Sequence, residues 1–138
     1  MKPVFIDTMG WYCLFDRSDR KHGAARALVE DFARSRTPLI TTDYVVDETA
    51  TLLVARKALS VLGTFFEMLE NSVALTLTPI GTGRFREACK LLLKHRDQGY
   101  SFTDVTSFIV MRELDCADAL TDDSHFEKAG FRCLLRSP

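Results

Sequence analysis

Short apolar runs alternate with longer amphipathic segments along the whole chain. The runs are rich in β-branched and aromatic residues, which favours buried strands. We predict strands at residues 4–6, 38–41, 73–80, 119–121 and 132–135. No Asn-Gly or similar hairpin signal separates any two of them.

The segments between these strands carry apolar residues at helical spacing. We predict helices from 18 or 19 to 34, and at 44–59, 60–70, 83–96 and 104–114. A further helix should begin at Asp7-Thr8, and a short one should precede Gly130, which suits the position after a helix end. The expected N-caps are Thr42 with Asp43, Thr82 and Thr103.

Strands that alternate with helices predict an α/β fold. We expect a three-layer α/β/α sandwich, with helices on both faces of a central, mostly parallel sheet. Functional sites in such sheets form beyond the carboxyl ends of the strands. The length of 138 residues fits one domain spanning positions 1–138.

Composition excludes several classes of protein. Hydrophobic residues make up 46% of the chain and the net charge is −1, so no global basic charge points to nucleic acid, although a local basic face could serve. The first apolar run is too short for a signal peptide. No segment approaches the roughly 20 apolar residues of a membrane span.

Cysteine and histidine positions do not predict a zinc site. The four cysteines include no C-x-x-C pair, and the three histidines are dispersed. Buried free thiols in a cytosolic protein are the expected alternative.

Three aspartates lie where a predicted strand ends or a predicted helix begins. Asp7 follows the first strand directly, and Asp123 follows the strand at 119–121. Asp104 lies in the first turn of its helix. Asp7 and Asp123 therefore map to the carboxyl edge of the sheet.

Glu48 is a fourth acid in an unusual position. It lies three residues after Val45 and four before Leu52, so helical geometry places it in the same stripe as these core residues. A charge in a buried stripe is costly unless something pairs with it. Its helix begins just after the second strand, which brings it to the same edge.

Each acid also has an ordinary structural explanation. The three aspartates could stabilise helix N-termini, where the helix dipole favours acids by about 0.3–1 kcal/mol. Glu48 could pair with a buried arginine or lysine. The convergence of all four on one edge favours a shared site instead, because the carboxylates repel one another unless cations lie between them.

Hard oxygen ligands of this kind suit Mg²⁺ or Mn²⁺. Two such ions can activate a water molecule and neutralise the leaving oxygen of a phosphodiester. This chemistry needs no serine, cysteine or histidine nucleophile, and none is evident in the sequence.

Four segments together resemble the PIN-domain proteins, and more closely the VapC-type toxins of bacterial and archaeal toxin–antitoxin pairs. They are "VFIDTMGW", "LITTDYVVDETATLL", "GYSFTDVTSFIVMRE" and "ALTDDSHFEKAGF", in that order along nearly the whole chain. The resemblance implies the α/β/α fold predicted above. It also assigns the catalytic and metal-binding roles to Asp7, Glu48, Asp104 and Asp123.

The family reads Thr-x-Asp at its fourth acid, so Thr121-Asp122-Asp123 points to Asp123, with Asp122 in the variable place. By the same resemblance, Thr8 and Thr121 support the acids. The implied activity is divalent-metal-dependent cleavage of single-stranded or looped RNA, leaving a 5′-phosphate and a 3′-hydroxyl. The resemblance further implies a cytoplasmic toxin, a small antitoxin partner and a homodimer.

One alternative from another class stays open: a non-catalytic PIN-like module that binds RNA or a protein, which predicts a broken set of acids. Two other enzyme classes do not fit. A haloacid-dehalogenase-type phosphatase needs a second aspartate at the position of Met9, and a receiver domain needs a phospho-acceptor where Thr78-Pro79-Ile80 stands.

Possible RNA contacts are less distinct. Basic residues cluster at 17–22, at Arg34 and Arg36, and at Lys94 and Arg96, where an ordinary solvated surface is the favoured interpretation. Three aromatic residues could stack on bases, but their helical spacing favours the core or a dimer contact: Trp11, Tyr12 and Phe15.

Overall fold

The structure is a computed structural model that describes residues 2–136. Its five strands form one parallel sheet in the order β3-β2-β1-β4-β5. The strands are β1 (Val4–Ile6), β2 (Leu39–Thr42), β3 (Leu75–Thr78), β4 (Asp118–Leu120) and β5 (Arg132–Cys133). The chain leaves β1 towards β2 on one side and returns to β4 on the other, so a crevice opens at the carboxyl ends of β1 and β4.

Seven helices flank the sheet within residues 2–136. They are α1 (Thr8–Phe15), α2 (His22–Ser35), α3 (Asp43–Ala55), α4 (Leu59–Asn71), α5 (Gly81–Lys94), α6 (Phe102–Glu113) and α7 (Ser124–Lys128). α1 contacts α2 and α3, and α3 contacts α4, while α6 contacts α5 and α7. The predicted α/β sandwich with a parallel sheet is confirmed. None of the described helices is long and apolar enough to cross a bilayer.

Local side-chain hydrogen bonds shift one predicted boundary. α2 begins at His22, a few residues after its predicted start. The carboxylate of Asp16 accepts a hydrogen bond from the Ser18 backbone N–H, and that of Asp19 accepts one from the Lys21 N–H. These bonds hold the segment in turns, which compete with the helix.

Two of the predicted helix caps are wrong. Thr82 does not cap α5, which has no side-chain cap, and Thr103 does not cap α6. Ser101 caps α6 instead, because its hydroxyl accepts a hydrogen bond from the backbone N–H three residues later. Thr42 caps α3 as predicted, and Gly130 follows α7 with a φ of 101°.

Trp11 belongs to the core, as its spacing predicts. Its indole Nε1 donates a hydrogen bond of 3.2 Å to the Thr41 hydroxyl, which in turn donates to the Ile6 carbonyl oxygen at 3.0 Å. The Phe65 ring lies 5.2 Å away in an edge-on arrangement. This side chain has no exposed surface and is not free to stack on a base.

The four cysteines are free thiols, as predicted. Burial raises the pKa of Cys13 to about 12 and that of Cys133 to about 11. These two thiols therefore stay protonated at neutral pH, which makes them poor nucleophiles.

Gly10 lets α1 pack directly on the end of β4. A Cβ atom on this glycine would lie 1.9 Å from the Leu120 carbonyl oxygen and 3.2 Å from a methyl carbon of Ile6. Such a short approach to backbone cannot be relieved by rotating a side chain. The contact brings the start of α1 against the strand edge where the crevice opens.

We predict that Gly10→Ala lowers the free energy of unfolding by about 1–3 kcal/mol or more, because α1 must move away from β4. Chemical denaturation measures this change. The matched control is Gly63→Ala in α4, where an added Cβ meets no atom within 4 Å. That variant should be neutral or about 0.5–1 kcal/mol more stable, since alanine suits a helix better than glycine. Equal stabilities of the two variants would contradict the packing argument.

Candidate active site

Asp7 and Thr121 meet because they follow two neighbouring strands. Ile6 pairs with Leu120 in the sheet, so the next residue of each strand lies at the same edge. The Thr121 hydroxyl donates a hydrogen bond of 2.8 Å to Asp7 Oδ2. The same hydroxyl oxygen accepts a 2.9 Å hydrogen bond from the Asp123 backbone N–H. Thr121 thus joins two of the four predicted acids.

Asp7 caps α1 and is almost completely buried. Its Oδ1 accepts a hydrogen bond of 2.9 Å from the Gly10 N–H, and 5% of the residue is exposed. Burial raises the pKa of Asp7 to about 8, because hydrogen bonds from Gly10 and Thr121 only partly offset the loss of water. The negative charges of Asp123 and Asp104 raise this pKa further. The site therefore disfavours the charged carboxylate when no cation is present.

Asp104 lies in the first turn of α6 and completes a capping box with Ser101. Asp104 Oδ2 accepts a 3.1 Å hydrogen bond from the Ser101 N–H, and the Ser101 hydroxyl accepts one of 2.9 Å from the Asp104 N–H. Burial raises the pKa of Asp104, as does the charge of Asp123, while the Ser101 N–H and His125 lower it.

Asp123 caps α7, since its Oδ1 accepts a 2.9 Å hydrogen bond from the His125 backbone N–H. Its side chain lines the cleft at the strand edge, whereas Asp122 is not among the lining residues. The charge of Asp122 instead contributes to the raised pKa of Cys13. Of the two adjacent aspartates, Asp123 is the one that faces the other acids.

Glu48 reaches the same cleft from α3. Its Oε1 accepts a hydrogen bond of 2.5 Å from the Thr8 hydroxyl, and the residue is half-buried. Asp47 is exposed, in keeping with a solvent-facing side chain. Asp43 begins α3, directly after the Thr42 cap, and its carboxylate accepts hydrogen bonds from the N–H groups of Tyr44 and Ile80. Glu48 is thus the acid of this helix that enters the cleft.

The four acids line one open cleft of about 260 Å³. Its remaining lining residues are Thr8, Met9, Val45, Gly99, Ser101, Thr103, Ser107, His125 and Phe126. Within residues 2–136, no lysine or arginine forms an ion pair with any of the four acids. The cleft therefore concentrates four carboxyl groups that could together hold a divalent cation.

His125 is a cleft residue that the sequence analysis did not identify. Its Nδ1 lies 3.1 Å from Asp104 Oδ2 and 3.6 Å from Asp123 Oδ1. One potential ligand atom from each of these three residues lies within 4.8 Å of the other two. The sequence feature that could have identified His125 is its position two residues after Asp123. This position lies in the first turn of a helix, which faces the strand edge from which the helix starts.

The basic clusters lie away from this cleft. Arg34, Arg36, Lys94 and Arg96 are exposed, and neither they nor the residues at 17–22 line it. Arg34 pairs with Asp31 on the surface of α2. These contacts agree with the favoured interpretation of the clusters as solvated surface.

Comparison with known proteins agrees with this geometry. The family model described as "PIN domain" matches residues 4–132. The 23S rRNA-specific endonuclease VapC20 of Mycobacterium tuberculosis, from strains CDC 1551 / Oshkosh and H37Rv, is 30% identical over 128 residues. The match covers 93% of this chain and 95% of the relative.

A crystal structure of Mycobacterium tuberculosis VapC20, described as a sarcin-ricin loop cleaving toxin, has the same fold. It superimposes with a TM-score of 0.78 at 30% identity, covering 93% of this chain and 95% of that one. The family match spans most of the chain. The chain therefore belongs to the PIN domain family of metal-dependent nucleases and is related to the VapC-type toxins.

Proposed function

We propose that this protein is an endoribonuclease that hydrolyses RNA phosphodiesters at a Mg²⁺ or Mn²⁺ site formed by Asp7, Glu48, Asp104 and Asp123. The observation that carries the proposal is the convergence of four carboxylates on one cleft without a lysine or arginine partner among residues 2–136. Burying charge in this way is costly, and a bound cation is the arrangement that offsets the cost.

The surrounding residues hold the carboxylates in position. The Thr8 hydroxyl fixes one oxygen of Glu48, and the Thr121 hydroxyl fixes Asp7 Oδ2. We propose these two threonines as positioning residues, because each hydrogen bond restricts a carboxylate to one orientation. When bound, a divalent ion supplies an activated water and neutralises charge at the phosphate.

The substrate class follows from the relatives. VapC20 is named for cleavage of 23S rRNA, and its crystal structure for cleavage of the sarcin-ricin loop. We propose that this chain likewise cleaves a looped ribosomal RNA, and that it acts in the cytoplasm as a toxin held in check by a small antitoxin protein. We also propose a homodimer, for which Leu59 and Phe66 on α4 offer exposed apolar surface.

The alternative is a PIN-like module that binds RNA or protein without cleaving it. Such a module has no need for unpaired buried carboxylates, and replacing them should stabilise it. Cation binding and RNA cleavage separate the two proposals.

We predict that Asp7→Asn and Asp104→Asn each reduce kcat/KM for RNA cleavage by about 100-fold, because each removes a cation ligand. The assay uses a synthetic RNA that carries a sarcin-ricin-type loop, with Mg²⁺ or Mn²⁺. Asp47→Asn is the matched control: it makes the same chemical change on α3 at an exposed position outside the cleft and should retain activity. Equal cleavage by all variants would indicate a contaminating nuclease and remove the proposal.

A second prediction concerns pH. Asp7 in the folded, metal-free protein keeps its proton up to about pH 8, whereas its ordinary pKa is 3.8. Because the folded state then binds the extra proton, the free energy of unfolding should fall as pH rises from about 4 to 8. The slope is at most about 1.4 kcal/mol per pH unit for one proton.

Urea unfolding in EDTA, between about pH 5 and pH 8, measures this dependence. Other groups also titrate there, so the informative quantity is the stability difference between wild type and Asp7→Asn, whose side chain cannot ionise. Wild type should lose stability relative to the variant as pH rises, and saturating Mg²⁺ should reverse the loss at the upper end. A difference that does not change with pH would contradict the buried, protonated state of Asp7.

A further inference from the structure

His125 lies against two of the acids and takes no part in the metal site described so far. Its Nδ1 points into the cleft, 3.1 Å from Asp104 Oδ2 and 3.6 Å from Asp123 Oδ1. About two-thirds of the side chain is removed from solvent, since 33% remains exposed. This imidazole is therefore part of the cleft wall.

Two neighbouring residues contact the ring. The Tyr100 ring packs edge-on at 5.5 Å and 89°. The chain turns at Gly99, where an added Cβ would lie 3.7 Å from His125 Nε2. Nε2 therefore faces the backbone turn, and Nδ1 is left to face the carboxylates.

The distances match those between donors that share one ion. An octahedral ion with donors about 2.1 Å away holds adjacent donors about 3.0 Å apart and opposite donors about 4.2 Å apart. Potential ligand atoms of Asp104, Asp123 and His125 lie within 4.8 Å of one another. The 3.1 Å between Asp104 Oδ2 and His125 Nδ1 is close to the separation of adjacent donors on such an ion.

We propose that His125 Nδ1 is a metal ligand, which makes the subsite shared with Asp104 and Asp123 a mixed nitrogen–oxygen site that prefers Mn²⁺ to Mg²⁺. This inference rests on the metal-dependent function proposed above. Mg²⁺ takes oxygen donors and retains water. Mn²⁺ shares the preference for carboxylates but, as a first-row transition ion, binds an imidazole nitrogen more readily than Mg²⁺ does. Ligation through Nδ1 requires the proton to lie on Nε2, beside the Gly99 turn, where it can bond to the backbone or to water.

The competing role for His125 is purely a hydrogen bond to Asp104 that orients this carboxylate. In that case the imidazole never touches the ion, and its loss weakens Mg²⁺ and Mn²⁺ binding alike. Activity assays do not distinguish these two roles. The roles differ in whether a histidine nitrogen is bonded to the cation.

Electron spin-echo envelope modulation of Mn²⁺ bound to the protein measures this bond. We expect nitrogen-14 modulation in wild type and its replacement by a nitrogen-15 pattern in protein made with ¹⁵N-labelled histidine. The labelled wild type needs no substitution, so the result stands even if a variant fails to fold. His125→Gln should abolish the modulation. His95→Gln, which removes a histidine that lies beside Tyr100 but outside the cleft, should retain it.

Calorimetry provides the second measurement. His125→Gln should weaken Mn²⁺ binding by about 10-fold or more and Mg²⁺ binding by about 2-fold or less. Equal losses for both ions would overturn the inference. Mn²⁺ binding that requires Asp104 but shows no nitrogen modulation would also overturn the inference. That result would leave the nuclease proposal intact. An absence of any Mn²⁺ and Mg²⁺ binding would remove both proposals.

Discussion

Among residues 2–136, the carboxylates of the cleft are withdrawn from water and have no lysine or arginine partner. The functional edge of this fold depends on this one constraint. Asp7 is the strongest case, because burial raises its pKa to about 8 while, within the described part of the chain, only Gly10 and Thr121 donate hydrogen bonds to it. Several neighbouring groups lower the cost of this arrangement, whereas the charges of Asp104 and Asp123 add to it. The parallel sheet brings two strand ends together, the helix starts direct N–H groups at the acids, and threonine hydroxyls orient them.

The architecture could be predicted because short runs rich in apolar and β-branched residues alternate along the chain with longer helical segments that carry apolar residues at helical spacing. What failed were details that depend on competition between neighbouring side chains. Thr103 is also a common type of cap residue in isolation, but the reciprocal hydrogen bonds between Ser101 and Asp104 decide where α6 begins. The late start of α2 has a similar origin, in aspartates that bind the backbone of the preceding turn.

That the four acids line one cleft could be anticipated from the sequence: Asp7 and Asp123 follow strand ends, Asp104 lies in the first turn of a helix, and Glu48 lies in an apolar helical stripe. The helix-cap and the cleft interpretations of the three aspartates are compatible. Asp7, Asp104 and Asp123 each accept a hydrogen bond at a helix N-terminus, and each lines the cleft. His125 was missed because a lone histidine after an aspartate carries no periodic signal. Its relation to Asp104, 21 residues earlier, exists only in three dimensions.

Trp11 gives this molecule an optical property. It is the chain's sole tryptophan, and it lies on α1 about one helical turn beyond Asp7, with its indole N–H bound to Thr41. Any shift of α1 that accompanies occupation of the cleft changes the surroundings of this indole. The protein therefore carries an intrinsic fluorophore whose emission reports on the seating of the helix that Asp7 caps.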